Sequence, residues 1–279
     1  MSADKSAQRG VAARRLSVAV RRDVLNMVFR AKASHVGSCF SAADVMAVLY
    51  AEVMRFDPAN ADAPDRDRFI LSKGHAAAAL YATLANVGVL PKSELESYGV
   101  DLSPYMTHAS HKITGIEFSS GSLGHGLPFG VGKALAAQRR GQSWRTFVLL
   151  SDGEMDEGSN WEALMFASHH KLDRLVAIID YNKLQSLTSI SATLGLEPLV
   201  DKLQAFGWAV REVDGHDHAA IAGHLAGAPW VEGKPSVLVA HTVKGKGVSF
   251  MEHKVEWHYR SPDSALLAAA LDEVGHPDA

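Results

Sequence analysis

The spacing of hydrophobic positions changes repeatedly along the chain, and each change marks an element. From Val11 to Ala33 the apolar residues Leu16, Val20, Val24, Met27 and Val28 recur at helical spacing, which predicts a long first helix. Ser41-Ala-Ala-Asp44 reads as a capping-box-like start, with Asp in the Glu/Gln place, and predicts a second helix running to Met54. Short apolar runs rich in β-branched residues follow at Arg68–Leu71, Arg145–Leu150, Leu175–Asp180, Ala209–Val213 and Val237–His241. Helical patterns at Ala76–Val87, Leu123–Gln138, Asn160–His169, Pro198–Phe206 and Ala219–Leu225 lie between them, and one more helix, Ser261–Val274, closes the sequence. Alternation of this kind is the signature of an α/β fold with a central parallel sheet and crossover helices. The runs Thr146–Leu150 and Leu175–Ile179 show no polar alternation, so helices are expected on both faces, giving three layers. No repeat, low-complexity tract or linker divides the sequence, and 1–279 reads as a single domain.

Composition narrows the function classes. The 279 residues carry 28 Lys+Arg against 31 Asp+Glu, a formal charge of −3, and 47% are hydrophobic, an ordinary globular balance. Nucleic acids and anionic membranes need clustered cationic surface, so neither is an expected partner. Cys39 is the only cysteine, which excludes an internal disulfide and any CxxC motif; without a paired base it reads as a small core residue. The start MSADKSAQRGVAARR lacks the apolar stretch of a signal peptide. No uninterrupted apolar run approaches the roughly 18–20 residues that cross a bilayer. The expected location is therefore cytoplasmic.

Chemistry concentrates in three places. The long irregular stretch Gly99–Gly121 carries His108 and His111 and ends in Gly121-Ser-Leu-Gly-His-Gly126; loops of that length in a compact domain are usually functional or disordered, and the glycines favour function. Ser151-Asp-Gly-Glu-Met-Asp-Glu-Gly158 directly follows the apolar run ending at Leu150, at the carboxyl end of a strand, where ligands bind in open parallel sheets. Thirty residues beyond Asp152, the next apolar run ends in Asp180-Tyr-Asn-Lys-Leu184. One βαβ unit thus brings Asp152 and Asn182 to the same edge. A carboxylate, an amide oxygen and a backbone carbonyl make a partial Mg²⁺ shell with room for substrate phosphates, and Gly153 lets the backbone approach them. Singly, Asp152-Gly153 can be a strand-to-helix turn and Asn182 a cap; the paired spacing favours the metal. Glu154 and Glu157 can orient that shell or simply sit at a solvated helix N-terminus. Lys73, Lys183 and Lys246 read as solvated or phosphate-rim charges. His169, His170, His216, His218 and His224 read as solvated or core-satisfied, whereas His35, His75 and His125 each lie beside or near glycine at a loop–helix junction.

At these residues the sequence resembles the thiamine diphosphate enzymes, specifically the transketolase family. The family's Gly-Asp-Gly, about thirty residues, then Asn is matched by Ser151-Asp152-Gly153 to Asn182. Ala33-Ser-His-Val-Gly37, Leu71-Ser-Lys-Gly-His-Ala76, Ser120-Gly-Ser-Leu-Gly-His-Gly126 and Thr242-Val-Lys-Gly-Lys-Gly247 with Trp257-His258 are similar to further motifs of its diphosphate-binding domain. Ser151 replaces a glycine, and His125 the more usual glutamine. The resemblance implies thiamine diphosphate with Mg²⁺, or Ca²⁺ or Mn²⁺ as substitute, and metal ligands Asp152, Asn182 and the Leu184 carbonyl. It implies cofactor contacts from His75, Gly121, Ser122, Leu123, Gly153, Glu154, Lys244 and His258, and a substrate channel lined by His35, His75, His111 and His258. A ring of histidines suits polyhydroxy carbonyl substrates, because imidazole can donate to, accept from or exchange a proton with a hydroxyl near neutral pH. The implied reaction transfers a two-carbon ketol unit between sugar phosphates. The family's pyrimidine-binding domain, with the glutamate that activates the cofactor, has no counterpart here, so a separate C-terminal transketolase subunit is expected, in a dimer of heterodimers. Two alternatives remain: the alpha subunit of a 2-oxoacid dehydrogenase, whose substrates lack the hydroxyls this row would serve, and a non-catalytic cofactor-binding scaffold.

Overall fold

A computed structural model describes residues 10–278; residues 1–9, most of the polar start, and Ala279 lie outside the described residues. The apolar runs form the strands β1 Arg68–Leu71, β2 Thr146–Ser151, β3 Leu175–Tyr181, β4 Ala209–Asp214 and β5 Ser236–His241. They make one wholly parallel sheet in the order β1-β2-β3-β5-β4. Around it run α1 Val11–Ala31, α2 Val36–Val48, α3 Ala77–Asn86, α4 Gly126–Arg139, α5 Gly158–His169, α6 Leu199–Ala205, α7 His218–Ala226 and α8 Ser264–Val274.

Alternation along each strand sorts side chains into two cores. Phe147, Leu149, Val176 and Ile178 face α1, α2, α3, α7 and α8, while Val148, Leu150, Ala177 and Ile179 face α4, α5 and α6. Each fully buried Leu, Ile or Val contributes about 1.5–3 kcal/mol, so the central strands are held from both sides. The apolar stretch Val36–Val53 is long enough to attract notice as a bilayer span, yet 89% of it is buried as a core helix. The stretch Gly99–Gly121 holds no helix or strand, as the sequence predicts, and the irregular backbone runs on to Gly126, three residues past the Leu123 at which the next helix is expected. Tyr105, Ala109, Ile113 and Ile116 are nonetheless buried, and the Tyr81 hydroxyl donates to the His108 carbonyl at 2.9 Å, so this stretch is anchored to the core.

Two further helix starts differ from expectation. α2 begins at Val36, not Ser41, and Ser41 sits inside it with its hydroxyl donating to Asp180 Oδ2 at 2.6 Å. Asp44, the other half of the expected box, pairs with Arg21 of α1, whose Nη1 and Nη2 lie 2.9 and 2.6 Å from Oδ1 and Oδ2. Both side chains make tertiary bonds, which local spacing cannot distinguish from a cap. α8 likewise starts at Ser264, because the Asp263 side chain accepts from Leu266 N at 2.9 Å.

Burial raises the Asp44 carboxyl, but the Arg21 charge and the bonds from His216, His218 and Arg21 outweigh it and hold it well below the usual range. A depressed folded value gives stability that is full above the unfolded carboxylate range and lost as pH falls through the folded one. Arg21→Ala leaves a buried charge without its main partner and is expected to cost about 3–5 kcal/mol at neutral pH. In urea melts this deficit should shrink as the pH is lowered below about 4, where wild type loses the same pair. An equal deficit at neutral and acid pH would contradict this account.

Candidate active site

The floor of the site follows from the register. Ser151 pairs with Asp180 in the β2–β3 ladder, and the residues that follow the two strands, Asp152 after Ser151 and Asn182 after Tyr181, emerge at the same carboxyl edge. Asp152 Oδ1 accepts from Gly153 N at 2.8 Å, and Oδ2 accepts from Lys183 N. Lys183 occupies the left-handed region at φ 67°, the turn that brings its N–H back onto the carboxylate. Asn182 Oδ1 accepts from Leu184 N at 3.1 Å. The Asp152 carboxylate is buried with backbone donors, and among the described residues no side-chain cation is bonded to it. Burial first, then the charge of Asp180, pushes it up to about 7. A buried carboxylate short of positive charge, beside an amide oxygen and a backbone carbonyl, is the donor set of a hard divalent cation, and these residues fit Mg²⁺.

Asp180 itself is neutralised. Lys73 Nζ donates to its Oδ2 and to the Ser38 carbonyl at 3.1 Å, and the Thr242 hydroxyl donates to Oδ1. Lys73 is thus fully buried and is not the solvated or phosphate-rim charge expected from sequence. Lys244, equally buried, donates to His258 Nδ1 and the Gln185 carbonyl, both at 2.9 Å, and to the Leu184 carbonyl at 3.3 Å. Burial, then the charge of Lys73, lowers its ammonium to about 8.

The facing wall is imidazole. The His35 ring lies 5.0, 5.4 and 5.7 Å from those of His258, His75 and His108. His35 sits at φ 76°, pinned by its N–H donating to the His258 carbonyl at 2.7 Å. Strained backbone at a bulky residue commonly marks a functional position. Burial, then the charges of His108 and Lys244, lowers His35 to about 4. Burial, then Lys244, lowers His258 to about 3, and burial, then Lys73, takes His75 well below the usual range. These rings are neutral at physiological pH, each with one donor and one acceptor nitrogen. Floor and wall enclose a cleft of about 200 Å³. The glycines behind it allow close backbone approach: a Cβ on Gly74 would meet the Ser120 backbone at 2.6 Å, and one on Gly126 the Ser72 Cα at 2.7 Å.

Of the residues expected from sequence, His35, His75, Gly121, Leu123, Asp152, Gly153, Asn182, Leu184, Lys244 and His258 line this cleft. Three do not. His111 is exposed, its ring bonded to Ser119 Oγ at 2.7 Å, and His108 takes the place expected of it. Ser122 is exposed and off the cleft. Glu154 is fully buried behind the Gly121–Gly126 loop, accepting from Ser72 Oγ, Gly124 N and Ser151 N; it clamps that loop to the end of β2. Glu157 is exposed. Ser38, Gln185 and Ser186 also line the cleft, with no motif to announce them. His108 stands in the loop that the sequence marks as functional, but nothing local separates it from His111. Cys39 is buried, with its thiol pushed up to about 11 by burial, in keeping with a core residue.

Comparison with known proteins agrees with this geometry. Residues 12–274 match the family model described as "Transketolase, thiamine diphosphate binding domain". The chain is 39% identical over 254 residues to one subunit of the apulose-4-phosphate transketolase of Phocaeicola vulgatus, covering 91% of this chain and 90% of that protein. It is 40% identical over 256 residues to the 6-deoxy-6-sulfo-D-fructose transketolase subunit SqwG of a Clostridium species, covering 91% and 93%. Among solved structures, the transketolase of Leishmania mexicana superposes with a TM-score of 0.88 at 30% identity. The R525L transketolase of Pichia stipitis does so with 0.89 at 28%. Each superposition covers 96% of this chain but only 42% and 41% of the longer proteins. With the family's motifs gathered in one cleft and its model matched over almost the whole length, the chain belongs to the thiamine diphosphate-binding domain family of transketolases.

Proposed function

We propose that this chain is the cofactor-binding subunit of a two-subunit transketolase, which moves a two-carbon ketol unit from a ketose phosphate to an aldose phosphate. The observation that carries this reading is the meeting, in one cleft, of the Asp152–Asn182 edge and the wall of His35, His75, His108 and His258. Asp152, Asn182 and the Leu184 carbonyl would hold Mg²⁺, and Gly153, Gly121, Leu123, His75, His258 and Lys244 would receive the cofactor, mainly at its diphosphate end. When bound, thiamine diphosphate supplies the nucleophilic carbon that takes up and hands on the ketol unit. The protein's part is to position and to exclude water. Neutral imidazoles donate to a substrate oxygen or accept from a hydroxyl without adding net charge, which suits a polyhydroxy chain better than a 2-oxoacid.

A partner completes the site. Relatives of this length are named as single subunits of transketolases, which supports a second polypeptide. Asp152 is the one carboxylate lining the cleft among the described residues, and it is assigned to the metal. The glutamate that the family resemblance implies at the aminopyrimidine would then be supplied by a C-terminal transketolase subunit, in a dimer of heterodimers. Lys73 is engaged with Asp180, and Lys244, bonded to His258, is the charge assigned to the cofactor's diphosphate. No lysine or arginine lining the cleft, among the described residues, is left over for the substrate's terminal phosphate, and that end is read by the partner. Relatives named for sugars as different as apulose-4-phosphate and 6-deoxy-6-sulfo-D-fructose agree with a shared cofactor domain and a specificity set elsewhere.

Asp152→Ala removes the only charged metal ligand, so calorimetry should show Mg²⁺-dependent thiamine diphosphate binding weakened by roughly two orders of magnitude or more. Unchanged affinity would remove the metal assignment. In the reconstituted pair, His35→Ala, His108→Ala and His258→Ala should each lower kcat/KM by about 10²–10³, the usual effect of losing one donor in the transition state. His111→Ala should stay near wild type; if it is as crippled as His108→Ala, the histidine wall is wrongly drawn. The chain purified alone and saturated with cofactor should show no ketol transfer in a coupled assay and gain it on addition of the C-terminal subunit. Robust turnover without a partner would overturn the two-subunit reading.

A further inference from the structure

Lys244 is the buried ammonium of the cleft, yet the segment carrying it, Thr242–Gly247, belongs to no helix or strand. Its backbone is bonded by two side chains, His216 and Arg21, that do not line the cleft. Val243 N–H donates to His216 Nε2 at 2.8 Å, and the Lys246 carbonyl accepts from Arg21 Nε at 3.0 Å. Both holding side chains turn their other nitrogens to one carboxylate. His216 Nδ1 lies 2.6 Å from Asp44 Oδ2, and Arg21 reaches both oxygens of Asp44. Because a carboxylate only accepts, His216 must carry its hydrogen on Nδ1, which leaves Nε2 bare to accept from Val243. His216 is itself fixed by its own N–H, which donates to Asp214 Oδ1 at 2.9 Å. The arrangement repeats a familiar device of ligand sites, in which a carboxylate sets the tautomer of a histidine and the histidine orients what it touches. Here the thing oriented is a peptide group one residue from Lys244.

We propose that His216, held in one tautomer by Asp44, is a positioning residue that presets the Thr242–Gly247 segment so that Lys244 stands ready for an anionic diphosphate. The inference rests on Lys244 serving the diphosphate, as the proposed function has it. A segment preset in the free protein does not have to be ordered when the ligand arrives, so its ordering cost does not subtract from affinity.

His216→Phe keeps the ring and removes both hydrogen bonds, whereas His216→Gln restores a donor and an acceptor on one amide. Thiamine diphosphate binding to the full chain with Mg²⁺, followed by calorimetry, is the readout. His216→Phe should weaken binding about tenfold, the equivalent of one buried hydrogen bond, and His216→Gln should stay within about threefold of wild type. The deciding measurement is the double-mutant cycle: in a Lys244→Met background, His216→Phe should have almost no further effect, since what it positions is gone. A general loss of structural integrity would persist in that background. An equal penalty with and without Lys244, or wild-type affinity in His216→Phe, overturns the proposal. If His216→Phe does not fold, His216→Gln decides alone, and a tenfold loss there overturns it. If Lys244→Met by itself binds cofactor as wild type does, the diphosphate role of Lys244 fails, and this inference with it, while the Asp152 metal site stands or falls on its own test.

Discussion

Asp180 is the residue on which the site turns. It stands near the end of the central strand β3 with no exposure to solvent, and a bare carboxylate there would be far too costly to keep ionised. Its charge is kept by convergence: Lys73 from the loop after β1, Ser41 from α2 and Thr242 from the loop after β5 all donate to it. Despite the penalty of burial, these partners, Lys73 foremost, hold the carboxyl below its usual range. A buried charge repays its desolvation only when its geometry is good and its lone pairs are filled. Satisfying Asp180 therefore fixes the relative positions of three separate segments, each of which continues directly into the cleft: Lys73 into His75, Ser41 back through Ser38 to His35, and Thr242 on to Lys244.

The same carboxylate explains the floor. Asp152 lies one strand over, close enough to feel the charge of Asp180, but Lys73 is spent on Asp180 and the next ammonium, Lys244, is bonded to His258 and to carbonyls. Of two neighbouring carboxylates, one is neutralised by the protein and the other is left for a cation. Across the cleft the two ammoniums act in the opposite sense. Together with burial they keep His35, His75 and His258 neutral, so the wall can meet hydroxyls of either polarity while the positive charge of the site stays near the floor.

How much of this was legible in the sequence depended on how local the determining interaction was. Strand positions and the three-layer arrangement were readable because Thr146–Leu150 and Leu175–Ile179 are apolar on both faces, and adjacent parallel strands then bring Asp152 and Asn182, the residues just past their ends, to one edge. Where a residue's role depends on a partner far along the chain, spacing misled. Ser41 and Asp44 have the look of a cap but bond Asp180 and Arg21, 139 and 23 residues away. Lys73 has the look of a rim charge, because nothing beside it in sequence tells of a carboxylate 107 residues on. His108 and His111 are three positions apart in an irregular loop; the bond from Tyr81 to the His108 carbonyl and the packing of the loop's Tyr105 on Tyr81, both made to a residue outside the loop, are not readable from local spacing.

The division between floor and wall also orders their tolerance to change. The floor depends on fixed geometry: a strand register, the left-handed turn at Lys183 and a buried ion pair admit little variation without disturbing one another. The wall consists of rings supplied by four separate segments, at His35, His75, His108 and His258, with centroids 5.0 to 5.7 Å apart. Under the proposed function it would meet a hydroxyl as a hydroxyl, by a neutral donor or acceptor, without reference to what lies further along the substrate. On the proposed function, a floor this constrained and a wall this generic would let the fold be kept nearly unchanged while the sugar varies, since neither part would encode the length of the substrate or the charge at its far end.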